Sequence, residues 1–170
     1  MKEIKDEQDL LNNLQKVKQD LYKIGKVRLM QDEDIYDAIQ ETILIAYKNV
    51  NEQKSIRNFK SWIIRVLINE CNHIYKKHKK QIEVIEKELA DKREKVNSLN
   101  TIEEVESKIS FDMFLRKMKY KDRMIISLYY SSHFTIKEIS SILCINENTI
   151  KTRLVRIKKE IQKQIEEGNI

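Results

Sequence analysis

The sequence predicts an all-α fold of two small helical domains, an N-terminal helical bundle and a C-terminal four-helix domain with a helix-turn-helix, joined by a charged linker. Its 170 residues include no proline and only two glycines, whereas a β-rich fold of this length needs many turns built on those residues. Apolar residues recur at helical spacing along most of the chain. One charged stretch without an aromatic residue, 81–106, interrupts that pattern, and we predict that it is the linker.

The N-terminal domain, residues 1–80, is predicted to contain three helices. The first runs from about Gln8 to Leu29 and contains Gly25, a candidate for a bend. The second opens at an acidic triplet that suits a helix N-terminus, and the third begins at Phe59 and ends near Lys80. The spacing of the second helix predicts a buried stripe with three smaller or aromatic residues beside it: Ile35, Ile39, Ile43, Ala46 and Val50, with Ala38, Thr42 and Tyr47.

The C-terminal domain, residues 107–170, begins with an apolar segment from Ile109 to Met118, and a further helix is predicted over Lys121 to Tyr130. Thr135 and Glu138 have the spacing of a capping box, in which each residue satisfies the other's backbone at a helix start. Asn146 is a good N-cap for the last helix. That helix is expected to bury one apolar face: Ile150, Leu154, Ile157, Ile161 and Ile165.

The charge balance favours a polyanionic partner. Lysine and arginine exceed the acidic residues by six, and nucleic acid is the commonest partner of such a surface. The two cysteines, Cys71 and Cys144, form no CxxC pair and suggest a reducing compartment. The chain starts with polar residues and has no apolar run long enough to span a bilayer, so we expect a cytoplasmic protein without membrane insertion.

The strongest functional pattern is a short capped helix, a tight turn and a basic helix over Thr135–Lys159. This order predicts a helix-turn-helix whose second helix enters the major groove of DNA. Arginine and lysine read guanine edges there, threonine contacts bases or phosphates, and valine meets the thymine methyl group. The alternative from the residues alone is a packed helix pair with a solvated basic face.

The segment Ile136–Leu154 resembles the promoter-recognition helix-turn-helix of the extracytoplasmic-function (ECF) sigma factors, with the closest match at Thr149–Leu154. The resemblance implies that this domain binds the −35 promoter element. The residues assigned to that contact are Asn148, Thr149, Lys151, Thr152, Arg153, Val155, Arg156 and Lys159.

The segment Asp34–Tyr47 resembles the family helix that docks on the clamp helices of the largest RNA polymerase subunit. The residues that this resemblance assigns to polymerase binding are Asp34, Asp37, Gln40 and Glu41. An exposed acidic and amide face is also what a basic partner requires, although an ordinary solvated face has the same composition.

The segment Phe59–Asn69 resembles the family segment that opens DNA at the −10 element and holds a flipped base. Trp62 has a second interpretation, since a tryptophan at this spacing is more often a core anchor than a stacking platform. The residues assigned to −10 DNA are Trp62, Arg65, Asn69, Lys76, Lys77, Lys79 and Lys80.

The chain departs from the family pattern at several positions. Cys144 and His133 stand where glycine is common, Lys119-Tyr120 replaces a Leu-Pro pair, and Ile35-Tyr36 replaces Ala-Glu. These departures weaken the assignment to a particular subgroup and leave the resemblance to the family unchanged.

The resemblance implies an alternative sigma factor that binds core RNA polymerase, through the clamp helices and the β flap, and promoter DNA, and that is controlled by an anti-sigma factor. We expect no enzyme activity, no catalytic residue and no cofactor. Cys71, His73 and His78 do not share a helix face and predict no metal site. Two alternatives are a stand-alone helix-turn-helix regulator, which predicts a dimer on symmetric operators, and a helical interaction protein without DNA affinity.

Overall fold

The structure is a computed structural model that describes residues 4, 6–52, 56, 58–92, 114–115 and 117–168, with side chains of 84–92 excepted. Over these residues it contains helices and no strand, which confirms the all-α class. None of these helices is both long and apolar enough to cross a membrane. The elements are α1 (Glu7–Arg28), α2 (Asp32–Asn51), α3 (Phe59–Lys92), α4 (Tyr120–Ile126), a π-helical segment (Ser127–Ser131), α5 (Ile136–Leu143) and α6 (Glu147–Glu166).

Helices α1, α2 and α3 pack against one another. Gly25 lies where α1 crosses α2, and a Cβ atom added there would come within 2.8 Å of the Cγ2 methyl of Ile35. α1 continues through this glycine to Arg28. The glycine therefore serves the close approach of two helices.

The buried face of α2 differs from the predicted stripe. Ile43 and Tyr47 are 36% and 43% exposed. Small side chains face inward instead, and the hydroxyl of Thr42 is satisfied by donating to the Ala38 carbonyl at 2.7 Å. The buried residues are Ile35, Ala38, Thr42, Ala46 and Val50. The helix is rotated relative to the prediction because small residues let it approach its neighbours more closely.

Helix α3 extends twelve residues beyond the predicted end at Lys80, into the charged stretch assigned to the linker. Glutamate, lysine, leucine and alanine are good helix formers, so the change to a charged composition after Lys80 does not end the helix there. The remainder of the predicted linker, 93–106, lies outside the described residues, as does most of the apolar segment predicted from Ile109 to Met118.

The helix-turn-helix forms as its sequence predicts. The Thr135 hydroxyl accepts from the Glu138 N–H at 3.3 Å, and the Thr135 N–H donates to Glu138 Oε2 at 2.9 Å. The Asn146 side chain accepts from the Asn148 N–H at 2.8 Å and caps α6. Cys144 and His133 both have left-handed backbones, with φ of 54° and 55°. Glycine adopts this conformation most readily, which is a physical reason for the glycine that the resemblance leads one to expect at these two positions.

The two groups of helices share one hydrophobic core. Buried residues of α1 and α3 form a single cluster with Leu128, Ile139 and Ile150 from the C-terminal helices. Polar contacts also cross this junction: Lys60 donates to the Ser132 carbonyl at 3.1 Å, and the Arg28 guanidinium lies 4.2 Å from the Tyr120 ring centroid. The division into domains 1–80 and 107–170 stays a prediction, because the described helices are in contact across it.

Candidate nucleic-acid interface

Helix α6 presents a face of cationic and small polar residues to solvent. Ile150 and Ile157 are buried against the rest of the domain, which turns the opposite side outward, whereas Ile165, predicted on the buried face, is 59% exposed near the end of the helix. Val155 is 58% exposed among the cations, as a contact to a thymine methyl group requires. The Thr152 hydroxyl donates to the Asn148 carbonyl at 2.9 Å. The predicted −35 residues that are exposed are Asn148, Thr149, Lys151, Thr152, Val155, Arg156 and Lys159.

The two arginines of this set have an intramolecular partner that the sequence did not reveal. Asp122, in the first turn of α4, is buried. Its Oδ1 atom lies 2.6 Å from Arg153 Nη1 and its Oδ2 atom lies 2.7 Å from Arg156 Nη2. Arg153 is half-buried, and Arg156 is mostly exposed despite this contact. The structure thus links Arg153 to packing and leaves Arg156 accessible to solvent.

The predicted −10 residues fall largely on one side of α3. Their spacing of three or four residues places them on one helix face. Trp62 is half-buried and its ring centroid lies 6.2 Å from that of Phe59, which agrees with its interpretation as a core anchor. His73 is exposed on the same face, where it was not predicted to contact DNA. The members of this α3 stripe are Trp62, Arg65, Asn69, His73, Lys76 and Lys80; Lys77 and Lys79 are exposed beside it.

The α3 stripe contacts the helix-turn-helix through Arg65. The Arg65 guanidinium lies 3.1 Å from the Sγ atom of Cys144, which is the left-handed residue that ends α5. Asn58, just before α3, donates to Glu138 Oε1 at 3.5 Å. The helix-turn-helix therefore packs beside the N-terminal end of the α3 stripe, while Asn69 and the lysines beyond it are exposed.

The predicted polymerase-binding residues form an exposed ridge on α2, with one exception. Asp37, Gln40 and Glu41 are exposed. The Asp34 side chain is 18% exposed, and its Oδ2 atom lies 3.5 Å from His78 Nδ1 of α3. Exposed apolar residues flank these polar groups. Two of them, Ile43 and Tyr47, were predicted to lie in or beside the buried stripe. The α2 ridge comprises Asp37, Gln40 and Glu41 together with Tyr36, Ile43, Leu44 and Tyr47, all exposed.

The single thiol and the two histidines of α3 are spread along the helix and do not form a cluster. Burial, reinforced by the nearby Glu70 charge, raises the pKa of the Cys71 thiol to about 12. His73 is exposed on the stripe, and His78 contacts Asp34. Within the described part of the chain, no three histidine, cysteine or acidic residues are arranged to hold a metal ion.

Two features of the site were not predicted from the sequence. The partnership of Asp122 with α6 joins residues 31 and 34 positions apart, so no local pattern signals it. The exposed apolar part of the α2 ridge follows from the orientation of that helix. The alanine and threonine at four-residue spacing were the available signal, since small residues favour a close helix contact.

Comparisons with known proteins relate both groups of helices to sigma factors. Residues 14–81 match the family model described as Sigma-70 region 2, and residues 108–161 match the one described as Sigma-70, region 4. The RNA polymerase sigma factor SigV of Bacillus subtilis (strain 168) is 28% identical over 148 residues, which are 87% of this chain and 86% of SigV.

Two solved structures share the fold. The sigma factor RpoE from Bartonella quintana, in a co-crystal structure with the anti-sigma factor NepR, superposes with a TM-score of 0.67 at 19% identity, covering 94% of this chain and 98% of that one. CnrH, in complex with the cytosolic domain of CnrY, gives a TM-score of 0.64 at 12% identity, covering 95% of this chain and 90% of its own.

Proposed function

The chain belongs to the ECF sigma factors, and on this basis we propose that it binds core RNA polymerase through the α2 ridge and directs it to promoters with α3 and α6. One observation carries the assignment of surfaces: an acidic and apolar ridge and two cationic faces are exposed on three different helices of one chain. A polymerase and its template can therefore be held at the same time.

The α2 ridge is suited to a basic protein partner. Asp37 and Glu41 are four residues apart and share one helix face, with the exposed Leu44 beside them. Charged groups steer association, whereas apolar area contributes affinity once water is excluded. Docking on the clamp helices by this ridge thus uses both kinds of side chain.

On the DNA side, we assign the α3 stripe to the −10 element and the exposed face of α6 to the −35 element. Lys76, Lys77, Lys79 and Lys80 supply a dense positive charge at one end of the stripe, which gains free energy when phosphates release their counterions. Asn69 lies near the middle of the stripe, beside the predicted base pocket. On α6, Lys151 and Val155 supply the side chains that read base edges.

The proposal also covers regulation by a protein partner and the cellular compartment. An anti-sigma factor that covers the α2 ridge would block polymerase docking without touching the core of the chain. Because polymerase acts in the cytoplasm, the chain is assigned there. The chain itself carries out no reaction, and polymerase supplies the catalysis of RNA synthesis.

Reconstituted transcription tests the function directly. The purified chain is added to core polymerase with a library of genomic promoter fragments, and run-off transcripts are sequenced. Specific transcripts that need both chain and core are expected. Tight promoter binding by the chain alone, without new transcripts in the presence of core, identifies a stand-alone regulator. No salt-dependent DNA affinity in either setting identifies an interaction protein.

The docking surface has its own test. The double variant Asp37→Asn/Glu41→Gln is expected to weaken core polymerase binding by about tenfold or more, since each interfacial charge contributes on the order of 1 kcal/mol. The control is Glu160→Gln/Glu166→Gln on α6, which changes the net charge equally. Unchanged polymerase affinity in the first variant, with circular dichroism unchanged, refutes the docking assignment.

A further inference from the structure

Asp122 is placed to control the arginines of α6. Its side chain is 5% exposed, and each carboxylate oxygen takes a different guanidinium, Arg153 at 2.6 Å and Arg156 at 2.7 Å. The carboxylate therefore lies between two cations that are three residues apart on the helix assigned to base reading. No other acidic side chain among the described residues has an ion pair with these two arginines.

The burial of this carboxylate depends on both partners. A buried charge without partners is strongly unfavourable, whereas charge-assisted bonds to guanidinium groups are short and strong. The three side chains together carry one net positive charge. Without the carboxylate, two positive charges would be left close together at the DNA-facing end of the domain.

The two arginines differ in their exposure and in the N–H donors that remain available to a ligand. Arg153 is 28% exposed, and its contact anchors α6 to α4. Arg156 is 61% exposed, and a guanidinium has five N–H donors, of which the carboxylate uses one. An unrestrained arginine loses about 2 kcal/mol of rotamer entropy when it is fixed, and a partner that already restrains it reduces that loss on binding.

We propose that Asp122 is a positioning residue that sets sequence selectivity at the −35 element. It restrains Arg156 in one orientation, which favours contact with a particular base edge. It also offsets one of the two positive charges, which weakens attraction to phosphates of any sequence. This inference rests on the proposed assignment of α6 to the −35 element and deepens it.

The first test compares holoenzymes containing the wild-type chain and Asp122→Asn. The probe is a promoter library randomised across the upstream hexamer with a fixed downstream element, transcribed and sequenced. The preference for the best hexamers over the library average is expected to fall about 5-fold or more, since one well-placed base contact discriminates by about 1–3 kcal/mol. Glu160→Gln, which removes one exposed negative charge from the same helix, is expected to keep the wild-type preference.

The second readout is salt dependence on DNA that lacks an upstream element. The Asp122→Asn holoenzyme is expected to bind this DNA more tightly, with a steeper dependence on salt by up to about one counterion, because the freed guanidinium can neutralise a phosphate. A residue that only maintained the fold would lower affinity for all DNA and would not steepen this slope.

A double-mutant comparison shows whether Asp122 acts through Arg156. In an Arg156→Ala background, Asp122→Asn is expected to cause no further loss of hexamer preference. Should Asp122→Asn fail to fold by circular dichroism, Arg156→Lys replaces it. That variant keeps the charge but loses the fork geometry, and is expected to lose preference with an unchanged salt slope.

The outcomes separate the two levels of the proposal. A wild-type holoenzyme without any hexamer preference overturns the assignment of α6 and this inference with it. A selective wild type with an equally selective Asp122→Asn overturns only the role of Asp122. The role of Asp122 is also overturned if Asp122→Asn causes the same loss of hexamer preference in the wild-type and Arg156→Ala backgrounds. Full hexamer preference in Arg156→Lys overturns it as well.

Discussion

The ammonium nitrogen of Lys60 donates to the backbone carbonyl of Ser132 at 3.1 Å, and this bond joins the first turn of α3 to the turn before the helix-turn-helix. The same nitrogen lies 2.8 Å from Asp20 Oδ2 of α1 and 4.8 Å from the centroid of the Phe134 ring. One side chain thus connects both groups of helices. Lys60 is half-buried, so these contacts are less screened than those of a surface lysine.

Replacing this lysine is expected to loosen the packing between the two groups. Lys60→Met removes the three contacts together and should destabilise the junction by about 1–2 kcal/mol. Small-angle X-ray scattering of the free chain is expected to show a larger radius of gyration. The control is Lys23→Met, at an exposed position of α1. A scattering curve identical to wild type would count against the lysine as a connector.

Glu138 is expected to make stability depend on pH in the acid range. Burial alone would raise its pKa, but hydrogen bonds from the Thr135 N–H and hydroxyl and from Asn58, with the Lys60 charge nearby, hold the pKa below the ordinary value. A lowered carboxyl pKa stabilises the fold above the ordinary value, and this contribution is lost as pH falls through the lower, folded-state pKa.

Glu138→Gln isolates this effect, because glutamine also completes a capping box. The measurement is urea unfolding of both proteins between pH 7 and pH 3. Wild type is expected to be the more stable near neutral pH, with the difference shrinking in the acid range. A difference that persists at the lowest pH would contradict the role of the charge.

The two cysteines are expected to react at very different rates. Cys144 is exposed, whereas Cys71 is 1% exposed with its pKa raised to about 12 by burial, so it carries almost no thiolate at pH 8. A disulfide exchange reagent should modify one thiol per native chain rapidly and the second only in denaturant. Cys144→Ser should abolish the rapid phase; a rapid phase that survives this change would place the reactive thiol elsewhere.

Relief of the left-handed backbone at His133 is expected to stabilise the C-terminal helices. His133→Gly removes the penalty of a side chain at φ of 55°, which is on the order of 1 kcal/mol. Thermal unfolding should shift upward by a few degrees. Ser131→Gly, two residues earlier in the π-helical segment, has no such penalty to remove and should lower the midpoint instead.

Local patterns predicted local structure well. The capping box of Thr135 and Glu138 and the Asn146 cap follow from short-range spacing, and both form. The left-handed residues Cys144 and His133 stand where the family favours glycine, and the backbone explains that preference.

Relations between distant segments were not predictable in the same way. The sequence shows that Ile43 is apolar, but helical spacing alone does not show which face of α2 packs against the other helices. The small residues of α2 decide that orientation. The end of α3 was predicted from a loss of apolar residues, whereas charged residues with high helix propensity continue it. Asp122 and Arg156 are 34 residues apart in the sequence, so no local pattern predicts the bond between them.

The hydroxyl oxygens of Ser132 and Ser61 are buried, and neither has a hydrogen-bond partner among the described residues. Ser132 carries the carbonyl that Lys60 contacts, and Ser61 lies one turn before Arg65 on α3. Each unsatisfied hydroxyl costs on the order of 1 kcal/mol while water is kept away. Access of water to either hydroxyl would return that free energy, so a substitution that lets water reach these two serines costs less than the loss of its packing contacts alone suggests.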